Sequence, residues 1–121
     1  MIIKLLILIM GILHIYIAWF EMFAWETKWK KIFNKFPIEL FSQTKSMAWN
    51  QGLYNSFLAF WLFWSLCIHN IEWSENIAIF FLICIAIAWI YWFFTIEKKI
   101  LFIQTIPSIC ILILIISSYY K

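Results

Sequence analysis

The chain has 121 residues, 66% of them hydrophobic and 12% charged, with a formal net charge of +3. A soluble domain averages about 45–50% apolar and about 25% charged residues, so this composition belongs in lipid. It excludes a separate soluble catalytic domain, for which too little chain remains, and it offers no soluble surface for nucleic acid.

A membrane-crossing helix takes about 20 apolar residues, and four stretches qualify: residues 2–25, 47–68, 77–95 and 100–119. The expected fold is therefore all-α, a single integral membrane domain over 1–121 with four transmembrane helices in an antiparallel up-down-up-down bundle. Lys4 ahead of an apolar core has the look of a secretion signal, but no small-residue cleavage site follows. The first stretch is read as a mature helix. It carries His14 and, seven residues later, Glu21. An ionisable side chain inside a span costs several kcal/mol unless it faces protein or water, so Glu21 marks a working site by default.

The segment after it has its own pattern. Trp29, Ile32, Phe33 and Phe36 recur at i, i+3, i+4 and i+7, while Lys28, Lys31 and Lys35 mark another face. That spacing predicts a short interfacial amphipathic helix between helices 1 and 2, with its lysines near anionic head groups of membrane lipids. Pro37 ends or restarts it. The second span contributes Asn50, Gln51, Tyr54 and Asn55, with Gly52 and Ser56 as a small-xxx-small pair. A loop over 69–76 leads to the third span, which ends on Tyr91 and Thr95, and the fourth opens with Gln104 ahead of Pro107.

Cys67, Cys84 and Cys110 stand singly in three different spans, which suggests neither a disulfide framework nor a metal site, and no cofactor motif is present. Orientation follows from lysine. Seven of the nine basic residues, Lys28, Lys30, Lys31, Lys35, Lys45, Lys98 and Lys99, lie in the two loops on one side. Positive charge favours the cytoplasm, so the expected location is a bacterial inner membrane, multi-pass, with both termini outside.

Depth then adds to spacing. At a rise of about 1.5 Å per residue, Glu21, Asn50, Gln51, Tyr91 and Gln104 all fall within about a turn of the cytoplasmic ends of their helices. His14 lies about 10 Å deeper on the same rise, with Tyr54 and Asn55 between. The expectation is one shared polar cavity formed by Glu21, His14, Asn50, Gln51, Tyr54, Asn55, Tyr91 and Gln104. Each amide alone is equally an interhelical bond of about 0.6 kcal/mol. Glu21 has two ordinary alternatives: reaching the cytoplasmic surface, or pairing with a lysine such as Lys28 or Lys99.

Several runs have a familiar form. Leu13-His14-Ile15-Tyr16, Glu21-Met22-Phe23-Ala24-Trp25 and Asn50-Gln51-Gly52-Leu53-Tyr54-Asn55-Ser56-Phe57-Leu58-Ala59, with Gln104 and Pro107 at the opening of the last helix, resemble the bacterial membrane-protein family known as domain of unknown function 1304. The resemblance covers nearly the whole chain and implies a four-helix inner-membrane protein, with no activity to carry over. This chain departs from it in using Lys through the first loop where Arg is usual, and Ser56 where Gly is common.

The function these residues favour is binding or transport of a small polar or cationic molecule, as monomer or homo-oligomer. Glu21 would be its anchor, amides would orient it, and aromatic walls would surround it. An alternative is an intramembrane acid–base enzyme, isomerase-like, acting on a lipid or isoprenoid substrate through Glu21 and His14 as catalytic pair. A further alternative is a structural or stress-related membrane subunit, in which the polar layer only specifies helix register.

Overall fold

The computed structural model describes residues 2–34, 36–95 and 101–118, with the side chains of 101–105 left aside. The expectations placed on Lys35, Lys98, Lys99 and the Gln104 side chain lie outside the described residues. Among those residues the protein is all-helical, with no strand. The helices are α1 (Ile2–Phe23), a π turn (Trp25–Trp29), α2 (Lys30–Ile32), α3 (Ile38–Gln43), α4 (Lys45–Cys67), α5 (Ile71–Thr95) and α6 (Leu101–Ser118).

Two of them, α1 and α5, are long and apolar enough to cross a membrane. The other two expected spans also exist as helices. Lys45, Asn50, Gln51 and Asn55 make α4 less apolar, and among the described residues α6 offers an apolar run over Ile106–Ser118.

The chain gathers into two compact units. One runs from Ile12 to Ala59. Here α1 and α4 lie antiparallel: Ala18 and Met22 meet Gly52, Glu21 meets Asn55, and Phe23 meets Trp49 at 5.1 Å between rings. The buried seam of α4 in this unit is Ala48, Gly52, Asn55 and Ala59, the alternating four-and-three spacing of a helix packed along another. Gly52 sets the distance between them. A Cβ there would stand 2.5 Å from the Met22 side chain and 2.9 Å from the Ala18 carbonyl oxygen, a backbone atom that cannot step aside.

The segment expected to be one interfacial amphipathic helix is a hairpin. The Ala24 carbonyl accepts from the N–H of Thr27, Lys28 and Trp29 together, so the chain widens into a π turn as it leaves α1. Trp29 then lies edge-on to Phe20 at 5.5 Å and stacks on Phe33 at 4.6 Å, and both Trp29 and Phe33 are buried. The aromatic face expected to meet lipid is thus divided: Trp29 and Phe33 turn into the protein, while Ile32 and Phe36 stay outside. Pro37 restarts the helix, with α3 beginning at the next residue. The hairpin closes where the Trp25 indole N–H donates to Thr44 Oγ1 at 3.1 Å and Lys45 pairs with Glu26 at 2.5 Å.

The other unit takes in residues up to Gly11 and from Phe60 onward. Gly11 fits against the Phe63 ring, α5 packs on α6, and Trp61 stacks on Phe81 at 5.4 Å. Ser74 Oγ donates to the Ser65 carbonyl oxygen at 2.8 Å in a buried contact. The loop expected over 69–76 shrinks to 68–70, because Asn70 acts as an N-cap. Its side-chain oxygen accepts the Trp73 N–H at 3.0 Å, and Glu72 sits favourably in the first turn.

The close approach at Gly52 yields a direct expectation. Gly52→Ala lowers stability by about 1–3 kcal/mol, the usual cost of overpacking, read as an earlier midpoint on unfolding from detergent micelles. Leu53→Ala, on the exposed side of the same turn, moves the midpoint by less than about 0.5 kcal/mol. Equal shifts for the two would contradict the packing described.

Candidate functional site

Glu21 is on the last full turn of α1, and its side chain points into the helix pair: the residue is 3% exposed. Asn55 of α4 is equally buried and donates from Nδ2 to Glu21 Oε2 at 2.7 Å. The same Nδ2 lies 3.3 Å from the Gln51 carbonyl oxygen, one turn back on its own helix, which orients the amide toward α1. A carboxyl so placed has exchanged water for, among the described residues, a single amide donor. Removing that donor leaves a buried acceptor exposed to its full desolvation cost, about 1–3 kcal/mol.

His14 lies two turns along α1 on the same stripe and is completely buried. Ala18, Gly52 and Met22 are packed around the carboxylate's neighbourhood, so the close helix approach and the polar contact share one stretch of interface. Of the ordinary alternatives for Glu21, the described residues bear on two, reaching solvent and pairing with Lys28, and it takes neither; pairing with Lys99 lies outside the described residues. Glu21 does not reach solvent, and Lys28 instead hangs over Trp19 and Phe20, with Nζ 5.0 and 5.8 Å from the ring centres.

The remaining candidates are placed differently. Asn50 and Gln51 are exposed, and Tyr54 is 56% exposed. The seam of α4 explains this: of the polar run only Asn55 falls on it, and Asn50, Gln51 and Tyr54 fall beside it. Tyr91 belongs to the other unit and is 71% exposed. The structure therefore brings Glu21 and Asn55 into contact and sets His14 on their stripe, while Asn50, Gln51 and Tyr54 face outward.

Sequence reasoning passed over the Glu26–Lys45 and Trp25–Thr44 contacts that close the hairpin. A signal was present in the closely matched flanks: an acid and an indole directly after one apolar helix, a hydroxyl and a lysine directly before the next. Among the described residues no three of His, Cys, Asp or Glu gather as a metal site.

An all-helical protein, with helices apolar enough to cross a membrane and a carboxyl–amide pair buried between two of its helices, is the class these observations define. The chain belongs to the family described as "Protein of unknown function (DUF1304)", whose model matches residues 8–116 and so takes in Glu21, His14 and Asn55. No curated protein and no solved structure matches it.

A double-mutant cycle tests the pair. Asn55→Leu alone costs about 1–3 kcal/mol, because Glu21 stays buried without its donor. Adding Glu21→Leu recovers most of that loss, since two apolar partners leave nothing unsatisfied. Simple additivity of the two substitutions in the unfolding midpoint would show that the groups do not interact.

Proposed function

We propose that this is a four-span inner-membrane protein, with both termini outside, that binds a small polar or cationic molecule at an intramembrane site centred on Glu21. Apolar side chains on the outer surface support the membrane reading. Only 33% of the apolar window of α1 and 28% of that of α5 is buried, and the remainder presents residues such as Leu5, Ile9, Ile12, Phe80 and Ile87 outward. Large apolar faces of that kind need a lipid or protein partner. The 23 residues of α4 reach about 34 Å at the helical rise, enough to cross a bilayer core of about 30 Å. The lysine distribution favours a single orientation.

The observation that carries the site is the buried Glu21 carboxyl on an apolar helix, accepting from the Asn55 amide. A carboxyl there is the natural anchor for a cation, and Asn55 keeps it pointing at the helix interface rather than along it. His14 stands two turns away on the same stripe, a separation that suits a second contact point better than direct acid–base coupling with Glu21.

The tight approach at Gly52 favours a second reading, in which the pair is an interhelical clamp and nothing more. Glu21→Gln separates the two, because it keeps the shape and a hydrogen-bonding carbonyl while removing the acid. Binding is read as the rise in unfolding temperature of the purified protein with methylammonium, guanidinium or tetramethylammonium. The binding reading expects at least one of these to stabilise the natural chain and to lose its effect in Glu21→Gln. Equal stabilisation of both proteins, or none of either, leaves the clamp.

A further inference from the structure

A hollow of about 220 Å³ lies in the hairpin between α1 and α4, well separated in the chain from Glu21's partner Asn55. Its walls are Glu26 and Lys30 from the π turn and α2, and Ile38, Glu39, Phe41 and Ser42 from α3. Glu26 is held by Lys45, and Ser42 Oγ donates to the Glu39 carbonyl oxygen at 2.9 Å. Among the described residues the Glu39 carboxylate and the Lys30 ammonium have no ion-pair partner. Phe41 is buried beneath them, its ring 5.6 Å from that of Trp25.

The hollow therefore offers one unpaired charge of each sign, Lys30 and Glu39, over an aromatic floor, the Glu26 carboxylate being already held by Lys45. A purely anionic group would leave Glu39 unanswered, and a simple cation would leave Lys30 unanswered. A molecule carrying a phosphate and an ammonium a few bonds apart answers both: phosphate on Lys30, ammonium on Glu39 and against Phe41.

Size and position decide the source. Pockets for drug-sized ligands run to about 300–1,000 Å³, so this hollow holds a head group and not a whole lipid. It opens directly after the apolar helix α1, beside Trp25, whose ring meets Phe41 and whose type suits the membrane–water boundary. Ile38 on its rim is 69% exposed, and Ile32 nearby is exposed as well, leaving apolar surface where acyl chains would lie. We infer that this hollow is a head-group site for a zwitterionic phospholipid of the phosphoethanolamine type.

The site is separate from Glu21, and its test is separate too. The full-length protein in detergent micelles is mixed with equal amounts of phosphatidylethanolamine and phosphatidylglycerol, and retained lipid is read by native mass spectrometry. Phosphatidylethanolamine is expected to be retained about fivefold over phosphatidylglycerol, a ratio within reach of one charge-assisted contact. Glu39→Gln abolishes the preference, and Lys30→Gln lowers retention of phosphatidylethanolamine; both side chains are exposed, so the fold does not depend on them. Retention of phosphatidylglycerol at or above the level of phosphatidylethanolamine, or an unchanged preference in Glu39→Gln, would overturn the inference. Soluble glycerophosphoethanolamine competing as well as the intact lipid would overturn the membrane as the source.

Discussion

One hydrogen bond holds the account together: Asn55 Nδ2 to Glu21 Oε2, made inside a helix pair where little else is polar. In water such a bond is replaced by others at small cost, whereas in an apolar interior the carboxyl has few alternatives. The bond requires two helices to approach closely, and they do so because Gly52 has no side chain to separate them from Ala18. The approach and the polar contact depend on each other. Widening the gap would strand the carboxyl, and losing the carboxyl would remove the reason for an amide on the seam.

The hairpin that follows α1 meets a different requirement. A helix leaving the apolar layer must satisfy its last carbonyl groups and turn back within about twenty residues. The π turn does this by concentrating three amide donors on the Ala24 carbonyl, and the extra residue rotates Trp29 inward onto Phe20 and Phe33. With Trp29 and Phe33 turned inward, the hairpin leaves Lys28, Lys30, Lys31, Ile32, Phe36 and Ile38 on the outside. On the proposed membrane reading, that division suits a segment between lipid tails and water.

Much of this was legible in the residues, and the reasons for the misses are physical. Glu21 stood out because a carboxyl in an apolar run carries a cost that something must offset, whereas Asn55 was one member of a polar run with Asn50, Gln51 and Tyr54. Depth alone could not separate Asn55 from Asn50, Gln51 and Tyr54. All four lie at similar heights, and only the angular position of the seam, fixed by Ala48, Gly52 and Ala59, decides which one points inward. The start of α5 was missed because hydropathy sees Glu72, Ser74 and Glu75 as loop, while the Asn70 cap makes the same residues a good first turn. The hairpin was read as one helix because its aromatic spacing is helical, and a π turn shifts that spacing by a single residue without any mark in composition. The family match confirms the resemblance seen in the Asn50–Ala59 run and extends over residues 8–116.

The most direct measurement is a carbon–nitrogen distance by solid-state NMR on protein reconstituted in bilayers, with glutamate carboxyl carbons and asparagine side-chain nitrogens labelled and Asn55→Leu as the assignment control. Strong dipolar dephasing that disappears in the control is expected, in keeping with the 2.7 Å contact between Asn55 Nδ2 and Glu21 Oε2. A Glu21 carboxyl whose signal is the same in both proteins would mean that the two helices do not meet through this pair, and the site built on it would have no foundation.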